Sequence, residues 1–115
     1  MSKGSDRVRV QHMHDAARKA LEFAKGRARE DLDEDDLFTF ALIHAVEILG
    51  EAAKNLSPEA RALAPGVDWK AIAGTRDRLA HRYFDVDLGI LWEIASRDLP
   101  ALLLQLEALL AKLPE

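Results

Sequence analysis

The sequence predicts an all-α protein, a helical bundle of four to five helices. Apolar residues recur at helical spacing in several long segments, and a leucine stripe closes the chain. We find no convincing strand pattern. The length of 115 residues favours one domain spanning residues 1–115, with residues 1–5 as a flexible end.

The first helix is predicted over Val8 to Phe23, with Gly26 near its end. Its apolar face is formed by Val10, Met13, Ala17, Ala20, Leu21 and Ala24. The acidic run over residues 30–36 follows. We interpret it as a solvated turn whose later members lie at the start of the next helix, where the helix dipole favours negative charge.

The second helix is predicted from about Asp35 to Leu56. It is apolar around most of its circumference and leaves one narrow polar stripe, His44, Glu47, Glu51 and Lys54. Such a helix needs burial on more than one side, either at the centre of a bundle or at a subunit interface. We therefore favour a core or interface role for His44 over a catalytic one.

The remaining helices follow from their capping signals. Ser57, followed by Pro58 and Glu59, predicts the start of a short third helix that ends before Pro65. Asp68 caps a fourth helix, and Asp87 caps a fifth that runs through Trp92 until Pro100 kinks it or starts a new segment. The final leucine stripe is predicted to be core: Leu99, Leu102, Leu103, Leu106, Leu109, Leu110 and Leu113.

Composition excludes several classes of function. A net charge of −4 argues against a general nucleic-acid coat, which needs many cations facing phosphate. With no cysteine there is no disulfide framework, thiolate metal site or cysteine nucleophile. No apolar segment is long enough to cross a membrane, and the chain is interpreted as a soluble cytoplasmic protein.

The segment from Trp69 to Trp92 concentrates reactive side chains, namely Arg76, Asp77, His81 and Tyr83. On an ideal helix Asp77 and His81 are neighbours, so the carboxylate would orient the imidazole, while Arg76 and Tyr83 share a second face. A single copy therefore does not direct Arg76 and His81 at one phosphate, unless the helix ends near His81 or a second subunit completes the site. This shortfall favours a symmetric dimer.

The spacing alone is weak evidence, because it also occurs at Arg7/His12 and Arg9/His14. We interpret those as surface residues of the first helix, and the two histidines as a poor metal pair. No persuasive metal-ligand cluster is found. A structural alternative remains for the motif, with Arg76 paired to an acid, His81 as a packing residue and Tyr83 closing the core.

Gly50 and Gly74 are interpreted as close-packing or helix-boundary positions.

Three segments together resemble the HEPN superfamily, in particular the HepT-like proteins encoded beside a minimal nucleotidyltransferase. They are EILGEAAKNLSPE at residues 47–59, VDWKAIAGTRDRLAHRYFDVDLGILW at 67–92 and DLPALLLQLEALL at 98–110. The resemblance implies a helical bundle that forms homodimers with an Arg-x4-His-x-Tyr motif at the dimer cleft. It implies a toxin ribonuclease that needs no metal or cofactor, and an antitoxin nucleotidyltransferase that adenylylates the motif tyrosine.

By this resemblance the motif falls on Arg76, His81 and Tyr83, with Asp77 at the polar position after the arginine. Where many relatives have arginine, this chain has His44. We expect Arg76 to hold the scissile phosphate of RNA and His81 to act as general acid or base on a 2′-hydroxyl attack. Asp77 would support His81, while Arg78 and Arg82 either guide the RNA backbone or are solvated charges.

Two other classes of function stay open. One is a non-catalytic HEPN dimer that binds nucleotide or RNA and docks a nucleotidyltransferase. The other is a plain structural dimer.

Overall fold

The computed structural model describes residues 3–82 and 85–114, and side chains over residues 6–79 and 86–114. The α-helices are α1 (Lys3–Ala24), α2 (Asp31–Glu34), α3 (Asp36–Lys54), α4 (Pro58–Ala62), α5 (Trp69–Ala73), α6 (Thr75–Leu79), α7 (Leu88–Glu93) and α8 (Leu99–Lys112). Strands β1 (Ala80–Arg82) and β2 (Asp85–Val86) form a short antiparallel ladder. A π-helical turn, Ile94–Asp98, joins α7 to α8.

The predicted all-α class is confirmed, but four to five helices is too low a number for the described residues. The predicted fourth helix is divided into α5 and α6, and α2 forms where a turn was expected. The short strands β1 and β2 were not predicted, because three and two residues are too few to give an alternating pattern. Over the described parts of the chain, no helix has the length and apolar character needed to cross a bilayer.

One hydrophobic core joins the long helices. Helix α1 packs against α3 and α8. The predicted apolar face of α1 and the leucine stripe of α8 both contribute to the core or pack against it. The largest fully buried side chains come from α1, α3, α7 and α8: Val10, Met13, Leu42, Val46, Leu91, Leu99, Leu106 and Leu109.

Helix α1 ends as the sequence predicts, with Gly26 at a backbone φ of 74° that favours glycine. The acidic run then supplies the start of α3, where the Asp35 carboxylate accepts a hydrogen bond from the Phe38 N–H at 3.1 Å. Arg27 lies 2.8 Å from Asp35 and 3.4 Å from Asp31, and its guanidinium stacks over the Phe38 ring. The hydrogen bond from Arg27 lowers the pKa of the Asp35 carboxyl below its ordinary value of 3.8.

The predicted start of the third helix is confirmed at α4. The Ser57 hydroxyl accepts a hydrogen bond from the Ala60 N–H at 3.1 Å. The buried Asp6 carboxylate, on α1, accepts hydrogen bonds from the Ser57 N–H at 2.9 Å and the Ser57 hydroxyl at 2.6 Å. A charged group with two hydrogen bonds thus fixes the start of α4 against α1.

The predicted new segment at Pro100 is confirmed, since α8 begins at Leu99 and Pro100 lies in its first turn. Proline has no N–H to donate and its ring crowds the carbonyl four residues earlier. The preceding π-helical turn accommodates this, because the Leu99 N–H donates to the Ile94 carbonyl, five residues back. The π-helical turn therefore joins α7 to α8 without a loop.

Helix α3 packs against α1 and also against α5 and α6, but one face of its N-terminal half stays exposed within the described chain. Phe38, Leu42 and Leu49 face the core, whereas Leu37 is 81% exposed and Phe40 is 69% exposed. The predicted burial of this helix on more than one side is therefore met within the described chain, except at the face that carries Leu37 and Phe40.

Candidate functional site

Arg76 lies on α6 and its side chain is exposed. It lines a groove of about 310 Å³ between α3 and the α5–α6 segment. The charged and titratable residues of this groove, which we call the Arg76 groove, are His44, Glu47, Glu51, Lys54 and Arg76. The polar stripe predicted on the second helix therefore forms one wall of the groove that holds the motif arginine.

Gly50 sets the distance between the two walls of the Arg76 groove. A Cβ atom added there would lie 3.2 Å from the carbonyl oxygen of Ile72 in α5. Helix α5 thus approaches α3 so closely that a side chain at this position would require a shift of a few tenths of an ångström. The predicted close-packing role of Gly50 is confirmed, and it places Ala73 and Arg76 beside the polar stripe of α3.

The predicted cap of the motif helix is confirmed, since Asp68 accepts a hydrogen bond from the Ala71 N–H at 3.0 Å. The predicted length of that helix is wrong. Gly74 ends α5, α6 ends at Leu79, and His81 lies on β1. The Leu79 carbonyl accepts from the Asp87 N–H at 2.7 Å, so its hydrogen bond goes to the chain after β2 and not to a further helical turn.

This break removes the helical spacing from which a contact between Asp77 and His81 was predicted. Asp77 is exposed on α6, whereas the backbone at His81 is extended. The side chains of His81 and Arg82 lie outside the described residues, and so does the whole of Tyr83. From the sequence, one copy was expected to direct Arg76 and His81 at the same phosphate only if the helix ends near His81 or a second subunit completes the site. The helix does end near His81.

Arg78 is exposed on the same short helix but does not line the Arg76 groove. It lines a second cavity of about 510 Å³, on the side of α6 that faces the π-helical turn and α8. The two arginines, two residues apart, therefore serve different cavities. Their spacing in the sequence does not predict this separation, because it depends on how α6 packs against its neighbours.

The Arg76 groove carries both signs of charge without ion pairs between its described side chains. Arg76 and Lys54 lie in the same groove as Glu47 and Glu51, but none of the salt bridges among described residues joins them. The predicted alternative that Arg76 pairs with an acid finds no support within this set. A guanidinium in a groove without a fixed partner can bind an anion.

His44 is exposed on the rim of this groove, so a core role is wrong for this chain. The sequence could have predicted this position, because His44 and Glu47 belong to the polar stripe of the second helix and lie within two turns of Gly50, the close-packing position.

Across the side chains that are described, no group of three or more His, Asp or Glu residues could hold a metal ion. On α1, His12 is exposed as predicted, while His14 Nε2 lies 3.0 Å from Glu107 Oε2 and links α1 to α8.

The described residues thus form a helical bundle in which Arg76 lies on a short helix that ends two residues before His81. The model of the Ribonuclease HepT-like family matches residues 13–109. The chain therefore belongs to the HepT-like family of the HEPN superfamily.

Curated relatives agree with this assignment. A protein of Caldanaerobacter subterraneus subsp. tengcongensis, provisionally named an RNase, is 39% identical over 90% of this chain and 92% of its own. A Thermococcus cleftensis protein named "Probable ribonuclease HepT" is 36% identical over 87% of this chain and 91% of its own. A Methanocaldococcus jannaschii protein, also provisionally named an RNase, is 31% identical over 93% of this chain and 98% of its own. No solved structure was found to match the chain.

Proposed function

We propose that this protein is an endoribonuclease that cuts RNA by transesterification and needs no metal ion. The observation that carries the proposal is the position of Arg76, which is exposed in a groove, has no ion partner among the described side chains, and precedes His81 by five residues. Membership of the HepT-like family and the ribonuclease names of the relatives support it.

In this reaction the 2′-hydroxyl of RNA is the nucleophile. A base removes its proton, the 2′-oxygen bonds to phosphorus, and the bond from phosphorus to the 5′-oxygen breaks as that oxygen takes a proton from an acid. The products are a 2′,3′-cyclic phosphate and a 5′-hydroxyl. Because the nucleophile belongs to the substrate, no metal-bound water is required.

Each motif residue takes one role in this mechanism. The Arg76 guanidinium holds the scissile phosphate and neutralises charge that develops on its oxygens. His81 acts as the general base or the general acid, and the histidine of a second subunit takes the complementary role. Asp77 supports this site from α6, and Arg82 guides the RNA backbone.

The dimer in this proposal forms through α3. Leu37 and Phe40 are exposed on the N-terminal half of α3, and His44 follows them on the same helix at the rim of the Arg76 groove. Burial of this face against a second copy would cover the apolar side chains and bring two motif segments to one cleft.

We further propose that the protein acts in the cytoplasm as the toxin of a toxin–antitoxin pair. A cognate minimal nucleotidyltransferase would be its antitoxin and would attach AMP to the Tyr83 hydroxyl. The added phosphate carries negative charge two residues from His81 in sequence and would repel the RNA phosphate. The modification is checked by mass spectrometry after incubation with ATP and that enzyme, with Tyr83→Phe as the control.

The experiment that tests the nuclease proposal compares Arg76→Ala, His81→Ala and His12→Ala proteins on RNA in the presence of a chelator. Loss of one transition-state interaction lowers rates by roughly a hundredfold or more, so the first two variants should lose cleavage. His12 is exposed on α1, and its variant should cut normally. RNA that stays intact with folded wild-type protein contradicts the proposal and favours a non-catalytic dimer.

A further inference from the structure

The cavity beside Arg78 is distinct from the Arg76 groove. It lies between α3, the α5–α6 segment, the π-helical turn and the start of α8, and has a volume of about 510 Å³. This is within the usual range for sites that bind small organic molecules. Its apolar walls come from Val46, Leu49, Ala71, Ile72 and Leu102.

The mouth of this cavity, which we call the Arg78 cavity, carries two guanidinium groups. Arg78 forms no ion pair with any other described side chain. Arg97 is exposed and forms an ion pair with Glu93 at 3.7 Å, a solvent-exposed pair of the kind that contributes little and that a ligand can displace. Both groups are therefore available to a ligand, and guanidinium binds a phosphate or the O6/N7 edge of guanine with paired hydrogen bonds.

Hydrogen-bond acceptors lie at the same mouth. The Asp98 carboxylate lines the cavity and makes no capping hydrogen bond to α8. Gln105 donates from its amide nitrogen to the Gly66 carbonyl at 3.2 Å, which leaves its side-chain oxygen to accept a hydrogen bond from a ligand. Asp68 also lines the cavity, but one of its oxygens is already used to cap α5.

The guanidinium groups, the hydrogen-bond acceptors and the apolar walls of the Arg78 cavity together favour one kind of ligand. Two carboxylates at the mouth disfavour a small multiply charged anion such as inorganic phosphate. Apolar walls favour a flat ring, and the acceptors favour a ring that carries N–H donors. Guanine meets each requirement, because its N1–H and amino group can donate to a carboxylate while O6 and N7 accept from a guanidinium.

The π-helical turn contributes to this arrangement. Arg97 and Asp98 are adjacent on the turn, and both line the cavity. π-helical turns are often found at functional sites. The irregular backbone before Pro100 thus presents one donor group and one acceptor group together.

We propose that the Arg78 cavity binds a nucleobase, with guanine preferred, and that in the RNA-cleaving protein it holds a base of the substrate; that second role rests on the proposed function. A strand that crosses α6 would then place a phosphate at Arg76 and a base in the Arg78 cavity. In this proposal Arg78 binds a base of the RNA and does not contact its backbone.

The test measures binding of GMP, UMP and ribose 5-phosphate to the whole unmodified protein by calorimetry. One bidentate contact discriminates between bases by roughly five- to hundredfold. GMP is therefore expected to bind at least about fivefold more tightly than UMP, and ribose 5-phosphate to bind more weakly still. Equal affinity for GMP and ribose 5-phosphate, or no binding of GMP, overturns the proposal.

Two variants of α8 locate the site. Ala101 lines the cavity and is exposed, so Ala101→Trp should fill the mouth and abolish GMP binding. Ala111 is exposed on the same helix outside the cavity, and Ala111→Trp should bind GMP normally. If Ala101→Trp does not fold, Asp98→Asn and Arg78→Gln replace it, with GMP affinity expected to fall towards that for UMP.

Binding that survives the cavity variants and is lost in Arg76→Ala places the nucleotide at the motif and overturns the proposal. These measurements require no cleavage. GMP bound in the cavity of a protein that cuts no RNA would therefore overturn only the nuclease proposal. A protein that cuts RNA but binds no GMP in the cavity would overturn only the present proposal.

Discussion

At the scale of single residues, Arg76 has no carboxylate partner among the described side chains, a property that it shares with Arg78 but not with the arginines of residues 18–29. Arg18 pairs with Glu22, Arg29 pairs with Asp33, and Arg27 contacts two acids. The sequence identified Arg76 through its spacing to His81 and the company of Asp77. It could not identify the wall of the groove that Arg76 faces, because that wall belongs to α3 and depends on how two helices pack.

Asp35 gives a prediction about pH at this scale. Its pKa is lower in the folded protein than its ordinary value, chiefly because Arg27 donates a hydrogen bond to it. A carboxyl with a lowered pKa stabilises the fold above its unfolded pKa, and that contribution is lost as the pH falls through the folded pKa. Asp35→Asn keeps a good helix cap but removes the charge.

We therefore expect Asp35→Asn to be less stable than wild type at neutral pH, with the difference shrinking as the pH falls below 3.8. Urea unfolding followed by circular dichroism at several pH values measures this. Glu34→Gln, which removes an exposed charge of the same acidic run that forms no ion pair with the described side chains, is the matched control. A difference between Asp35→Asn and wild type that is the same at every pH would contradict the account.

At the scale of elements, the end of α6 decides where His81 lies relative to Arg76, and sequence periodicity does not predict it. Nothing in the composition of residues 75–81 forbids a longer helix, and no glycine or proline follows Leu79 directly. The helix ends because Leu79 and Ala80 pair with the chain around Val86 and Asp87. Caps at Ser57, Asp68 and Asp87 could be predicted because each depends on residues within one turn.

The approach of α5 to α3 gives a prediction at this scale. Gly50→Ala gains helix propensity, about 1 kcal/mol, but places a Cβ 3.2 Å from the Ile72 carbonyl. The two effects oppose each other, so the free energy of unfolding should change by less than about 1 kcal/mol. RNA cleavage should fall several-fold, because α5 must shift and α6 carries Arg76.

Urea unfolding and a cleavage assay on the same preparation measure both quantities. Gly66→Ala is the control, since a Cβ there would meet only the Gln105 side chain, at 3.8 Å. Unchanged cleavage by a stable Gly50→Ala protein would show that the distance between α3 and α5 does not position Arg76.

At the scale of the whole molecule, the described chain leaves one face of α3 without a partner. The sequence predicted burial of α3 on more than one side, because apolar residues surround most of the helix. The core accounts for the side that includes Leu42, and Leu37 and Phe40 remain exposed. A pattern in one chain reports that a face is apolar, but not whether the same chain or a second copy covers it.

A homodimer through this face is testable with Phe40→Glu. We expect wild type to sediment as a dimer and Phe40→Glu as a folded monomer, because a charge would be buried in the interface. Leu104→Glu is the matched control, since Leu104 is 66% exposed on α8 and away from this face. Analytical ultracentrifugation distinguishes the two states, and a Phe40→Glu protein that remains dimeric would exclude this face as the interface.

The central claim is that the attacking group in RNA cleavage is the 2′-hydroxyl of the substrate. The most direct measurement compares an RNA that wild-type protein cuts at one position with the same RNA carrying a single 2′-deoxy nucleotide on the 5′ side of the scissile phosphate, both in excess chelator. We expect cleavage of the first to a 2′,3′-cyclic phosphate and no cleavage of the second at that position. Cleavage of the deoxy-substituted strand there, or products with 3′-hydroxyl ends, would contradict it.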